Sequence, residues 1–77
     1  MDLTNGTPAQ IKEYKESWLM YAFKVNVDKS LDVQGKVWCR RNVENWNWSF
    51  DVNEDFYVFL FHFECDANKF KNDLKIS

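Results

Sequence analysis

The 77-residue chain has little glycine, histidine or cysteine, and each shortage excludes a class of site. Its two glycines, Gly6 and Gly35, cannot form the glycine-rich loop that cradles a phosphate group. One histidine and two cysteines are too few, and too far apart, for a closed zinc site. We therefore expect neither a metal nor a cofactor.

Long apolar runs and a large excess of charge are also missing. No stretch approaches about 18 uncharged apolar residues, and the start of the chain lacks the basic residues and apolar run of a signal peptide. We therefore expect a cytoplasmic protein with no membrane partner, in which Cys39 and Cys65 are reduced thiols packed as small hydrophobes. A net charge of −2 disfavours sequence-independent binding to the phosphates of nucleic acid.

Aromatic residues, in contrast, are abundant. Tryptophan, tyrosine and phenylalanine make up 18% of the chain, and each ring can bury roughly 150–250 Å². A few such rings can supply the core of a short chain, and this chain is too short for two domains with a cleft between them. We expect a flexible tail over residues 1–6 and a single small domain over residues 7–77.

The first helix has a clear start and an uncertain end. A helix is predicted to start at this point, because Thr7 can serve as its N-cap, Pro8 as its first-turn proline and Gln10 as the glutamine of a capping box. Large apolar residues then occupy every second position from Leu19 to Val27, which predicts that the helix ends near residue 17 and that a strand begins at about residue 18. A helix that continues to about Ala22 is the alternative, because it would also explain the apolar residues near Trp18.

Three further segments show the same alternation and are predicted to be strands. They are residues 33–41, 45–52 and 56–65. The last of them carries apolar residues on both faces, which is typical of a strand covered on both sides. Asp66 is placed to cap a final short helix. The apolar stripe of that helix consists of Ala67, Phe70 and Leu74.

The sequence therefore predicts an α+β fold. Its four strands would form an antiparallel meander sheet, with the N-terminal helix and the short C-terminal helix packed on it. The side of the third strand that carries Trp46, Trp48 and Phe50 is expected to face the core.

Two groups of residues have the composition of catalytic or metal sites, and we interpret both as structural. His62 has no nucleophile near it in sequence, and alternation places the nearer cysteine on the opposite face of the strand. Asp51, Asn53 and Asp55 match the first three ligand positions of a calcium loop, but Phe56 stands where that loop needs glycine. We expect no enzymatic activity, because a catalyst needs acid, base or nucleophilic groups positioned together.

The candidate binding residues lie on the surface of the predicted sheet. Lys36, Trp38 and Arg40 would share one face of the second strand, and Arg41 follows at its end. Because Trp and Arg dominate interface hot spots, we predict that this surface binds a partner protein. The protein would then be an inhibitor or adaptor that blocks its partner's surface, or would form a homodimer. Cations on a strand face also discourage edge-to-edge association, which is the structural alternative.

An acidic rim is the second candidate surface. Four acidic residues surround the third predicted strand and its turn, namely Glu44, Asp51, Glu54 and Asp55. They are suited to a basic surface on a partner, or are solvated turn residues with no partner. Small chains of this kind are often accessory proteins of viruses or mobile elements, and we keep that source as a hypothesis.

The alternative function is binding of single-stranded nucleic acid, with bases stacked on the Trp38 ring among Lys36, Arg40 and Arg41. Affinity for an oligonucleotide should then fall steeply between low and physiological salt, because cations that neutralise phosphates displace counterions. Trp38→Ala should weaken binding, since a stacked base contributes roughly 1–3 kcal/mol. No binding at low salt, measured by fluorescence anisotropy, would reject this function.

Overall fold

A computed structural model describes residues 3–76, in which three α-helices pack with a three-stranded antiparallel sheet. The elements are α1 (Pro8–Leu19), β1 (Phe23–Val27), α2 (Asp32–Asn42), β2 (Trp48–Val52), β3 (Tyr57–Phe61) and α3 (Glu64–Asp73). The α+β class is as predicted, but the four-stranded sheet is wrong. No helix among the described residues is long and apolar enough to cross a membrane. Of the predicted tail, residues 1 and 2 lie outside the described part of the chain.

The strand order is β1-β3-β2, which is not a meander. Both outer strands pair antiparallel with β3, so they run parallel to each other. The connection from β1 to β2 contains α2, and the result is a split β-α-β unit. β2 and β3 form the hairpin expected from sequence, and the backbone N–H of Asn53 donates to Phe56 O across its turn at 2.9 Å.

The second predicted strand is helix α2. In the segment 33–41, the two-residue spacing that suggested a strand also contains apolar pairs four residues apart, and these satisfy a helix equally well. Gly35 and Cys39 form such a pair, and both are buried. The helix is favoured because it covers the sheet: Cys39 joins the cluster around Phe59, and Trp38 packs beside it.

Helix α1 begins as predicted and ends later. The backbone N–H of Gln10 donates to Thr7 Oγ1 at 3.2 Å, and the Thr7 N–H donates to Gln10 Oε1 at 2.9 Å, which completes the capping box. The helix continues to Leu19, so the strand predicted from Trp18 is wrong, and β1 begins only at Phe23. The end at Leu19 lies between the predicted end near residue 17 and the alternative end near Ala22.

A cluster of rings explains why Trp18 is helical and buried. Its indole N–H donates to Trp46 O at 3.0 Å, and its ring stacks on His62 with centroids 5.1 Å apart. Phe63 stacks on His62 at 4.2 Å, and the Nδ1 atom of His62 lies 3.1 Å from Asn47 Oδ1. These contacts hold the last turn of α1 against the segment that leads into β2.

The core lies between one face of the sheet and the helices α2 and α3. Phe59, Phe61 and Phe70 are completely buried, and Phe70 lies 4.9 and 5.1 Å from the other two rings. Trp48 is buried on the same face and Phe50 packs against the core, as expected, whereas Trp46 lies in the Asn45–Asn47 turn before β2 and is half-buried.

Helix α3 carries the predicted apolar stripe but not the predicted cap. Ala67 and Phe70 are buried, and Leu74, which follows the helix, packs against the core. The helix begins at Glu64 with Phe63 in the N-cap position, so Asp66 does not cap it. Asp66 instead lies inside the first turn, where a carboxylate still complements the helix dipole.

The opposite face of the sheet is mixed in polarity. Val58 lies in the middle of β3 and is buried, and Leu60 is half-buried, so β3 is apolar on both faces as predicted. The residues paired with Val58 on the two outer strands, Asn26 and Asp51, are exposed.

Gly35 marks the closest approach of α2 to the sheet. A Cβ atom at this position would lie 2.5 Å from Phe59 Cζ and 2.8 Å from Cε2, and the fully buried ring has little room to move. Gly35→Ala is therefore expected to lower the free energy of unfolding by about 1–3 kcal/mol, although alanine is the better helix former. Urea denaturation measures this change.

Gln34→Ala is the matched control, because Gln34 neighbours Gly35 on the exposed side of α2. Its effect should stay within about 0.5 kcal/mol. If Gly35→Ala were as stable as this control, the close packing of α2 on Phe59 would be contradicted.

Candidate protein-binding surface

Helix α2 separates residues that the sequence placed on one strand face. Successive helical residues are rotated by about 100°, so Lys36 and Arg40 share one side of α2. Trp38 lies on nearly the opposite side, and Arg41 lies between them. The flat platform of alternating cations and an aromatic ring is therefore absent.

Trp38 bridges α2 and α3. Its ring meets Phe61 and Phe70 edge-to-face, with centroids 6.4 and 5.4 Å away. Its indole N–H donates to Asp73 Oδ2 at 2.8 Å. The half-buried ring packs between the two helices, and the hydrogen bond to Asp73 sets its orientation.

The cations of α2 differ in whether they have a partner within the protein. Lys36 Nζ lies 2.9 Å from Asp32 Oδ1 and 4.2 Å from the centroid of the Phe50 ring. Within residues 3–76 this is the only ion pair, so neither Arg40 nor Arg41 has a carboxylate partner there. Both arginines are exposed in the last turn of α2, where the helix dipole favours a cation.

The acidic residues Glu54 and Asp55 lie in the turn of the β2–β3 hairpin and are exposed. β1 ends beside this turn, since Val27 pairs with Tyr57. Because α2 leads from that end of the sheet to the start of β2, its arginines lie toward the other end. Glu54 and Asp55 therefore lie on a different surface from the arginine pair. Glu44 follows Arg41 by three residues, at the N-cap of the Asn45–Asn47 turn before β2, so the predicted acidic rim is not one surface.

A shallow groove between α2 and the segment after α3 contains two of the predicted residues. Trp38 and Arg41 line it together with Val33, Val37 and Leu74. We call this feature the α2–α3 groove. Val33 is 70% exposed and Val37 is 36% exposed. Since they lie one helical turn apart, they form an apolar stripe beside the Trp38 ring.

Val33 and Val37 are not among the binding residues predicted from sequence. Strand periodicity grouped Val33 and Val37 with Gly35 and Cys39, which the structure buries. Their spacing of four residues was the available indication, because in a helix it places both on one side.

The two cysteines have different environments. Both are free; Cys39 is completely buried, whereas Cys65 is exposed, so the prediction of a packed thiol is right for Cys39 and wrong for Cys65. Burial, assisted by the charge of Asp66, raises the pKa of the Cys39 thiol to about 12. No group of three or more His, Cys, Asp or Glu residues among the described residues could hold a metal ion.

Thiol chemistry should follow this difference in burial. At pH 8 a chromogenic disulfide reagent should label one thiol of the native protein rapidly and the second only in denaturant, and Cys65→Ser should remove the rapid phase. Equal labelling rates in the native protein would contradict the burial of Cys39.

The burial of Cys39 also predicts a pH dependence of stability. Because the folded-state pKa of Cys39 lies above the ordinary value of 9.0, its contribution to stability is complete below about pH 9 and is lost as the pH rises to about 12.

Comparison with known proteins gives no relative for this chain. No family model matches it, and no curated protein or solved structure matches it significantly. Its function is therefore inferred from the side chains described above.

Proposed function

We propose that this protein is a non-enzymatic binding module that docks an amphipathic helix of a partner protein in the α2–α3 groove. One observation carries the proposal: Val33 and Val37 are exposed one turn apart, beside the ring of Trp38 and the side chain of Leu74. By covering an apolar helix on its partner, the module would act as an inhibitor or an adaptor.

The lining of the groove suits a protein partner. An apolar floor with a polar rim is the usual arrangement of a protein interface, and Trp and Arg are enriched among the residues that dominate binding energy. Trp38 is already oriented by Asp73, so little side-chain entropy would be lost when a partner packs against it.

The charges at the rim indicate the partner's chemistry. Arg41 lines the groove, Arg40 precedes it in the last turn of α2, and neither has a carboxylate partner within residues 3–76. A partner helix would place apolar side chains at spacings of three and four residues over Val33 and Val37, and a carboxylate near Arg41. The charge pair would contribute more to specificity and to association rate than to affinity.

Nucleic acid is the competing ligand. The exposed arginines could contact phosphates, but the Trp38 ring packs edge-to-face with Phe61 and Phe70, and no alternating platform surrounds it. We therefore treat nucleic-acid binding as an outcome of the experiment below.

Val33→Asp tests the groove, with Val52→Asp as its matched control. Val52 is also an exposed valine, on β2 and outside the groove. The new carboxylate at residue 33 lies in the first turn of α2, where the helix dipole favours a negative charge, so α2 should still fold. Tagged wild-type and variant proteins are used to capture partners from nuclease-treated extract of the source cells. Proteins bound by wild type and by Val52→Asp should be reduced about tenfold or more with Val33→Asp.

The same extract provides the outcomes that would contradict the proposal. If both variants retain the same proteins, the groove is not the binding surface. If proteins are captured only from a parallel extract that has not been treated with nuclease, and the purified protein binds an oligonucleotide in a salt-dependent manner, nucleic acid is the ligand.

A further inference from the structure

The outer edge of β1 is an open strand edge. β1 pairs only with β3, and among residues 3–76 no other hydrogen bond reaches the backbone of Phe23–Val27. Backbone N–H and C=O groups on such an edge can pair with another strand. We propose that β1 pairs antiparallel with β1 of a second copy of this chain, which joins two sheets into one of six strands.

The other outer strand, β2, is less accessible. The Val52 N–H is already bonded to the side chain of Asp51 at 2.9 Å. Helix α1 also lies beside the start of β2: Lys15 Nζ is 5.8 Å from the centroid of the Trp48 ring, and Leu19 and Ser49 line one groove between the two elements. Helix α3 packs against β1 as well, but among residues 3–76 no hydrogen bond reaches the outer backbone groups of β1, so β1 is the edge with groups available for pairing.

The residues at and before the start of β1 are apolar and exposed. Phe23 is 40% exposed, and Met20 and Tyr21 are 82% and 77% exposed. Natural edge strands are usually protected by charged residues, but Lys24 is the only charge in β1. Pairing of two copies would bury part of this apolar surface.

The charges also select one register. Antiparallel pairing centred on Val25 is the only register in which all five residues of both strands are paired. It places Phe23 opposite Val27 and Lys24 opposite the neutral Asn26 of the second copy. A register centred on Lys24 would instead place two lysines directly opposite each other, which is destabilising.

This interface is separate from the α2–α3 groove, so it goes beyond the proposed function. α2 does not contribute to the edge of β1, and Val33→Asp is expected to leave self-association unchanged. Either proposal can therefore fail without the other.

Two substitutions of the exposed Asn26 test the register, because they should change the affinity of the dimer in opposite directions. Asn26→Asp places a carboxylate opposite Lys24 of the second copy at two symmetric positions, and Asn26→Lys places a second cation there. We expect the dimer dissociation constant, measured by sedimentation equilibrium at low salt, to fall severalfold with Asn26→Asp and to rise about tenfold with Asn26→Lys. High salt should reduce both effects.

Asp51→Asn is the matched control. It makes the same change of +1 in charge as Asn26→Lys, and Asp51 occupies the corresponding position on β2, since both residues pair with Val58. Its dissociation constant should equal that of the wild type. Urea denaturation of each variant at low protein concentration checks that the monomer still folds.

Three outcomes would overturn the proposal. One is a wild-type protein that remains monomeric at millimolar concentration. Another is a weaker dimer with Asn26→Asp, which would mean that the two residues 26 face each other. The third is open-ended assembly that Asp51→Asn abolishes, which would mean that β1 pairs with β2 of the next copy.

Discussion

The contact between the backbone of α2 at Gly35 and the ring of Phe59 determines how the rest of the molecule is arranged. Phe59 lies on the central strand, between Val25 on β1 and Phe50 on β2, and is completely buried. Because residue 35 has no side chain, α2 can lie directly on that ring. This position of α2 leaves space at its side for Phe70 of α3, which packs against Phe59.

The placement of α2 decides which of its residues face solvent. With Gly35 and Cys39 against the sheet, Val33 and Val37 face outward. Trp38 lies at the boundary between the two sides, where it contacts the core and lines the α2–α3 groove. One packing constraint thus produces both the core and the candidate binding surface.

The parts of the fold that could be predicted from sequence have local causes. The capping box of Thr7 and Gln10 and the polar turn between β2 and β3 depend on residues close to one another in the chain. In α3 the stripe of Ala67 and Phe70 likewise follows from helical spacing alone. Each of these features can be predicted without the tertiary structure.

The parts that could not be predicted depend on distant residues. Over residues 33–41 the apolar pattern fits both a strand and a helix, and the choice is made by Phe59, which follows much later in the chain. The extension of α1 through Trp18 depends similarly on Trp46 and His62. Among the predicted site residues, Trp38 and Arg41 still line one groove, whereas Glu54 and Asp55 lie elsewhere.

The attachment of α1 has a consequence for how the molecule opens. α1 packs mainly against the short Asn45–Asn47 turn, and Trp18 is its only buried residue. Elements with little buried apolar surface open at a lower free energy than the core. Release of the stacked Trp18 and His62 rings would let α1 detach as a local unit while the sheet, α2 and α3 stay packed. Its backbone amides would then exchange with deuterium well before those of β3.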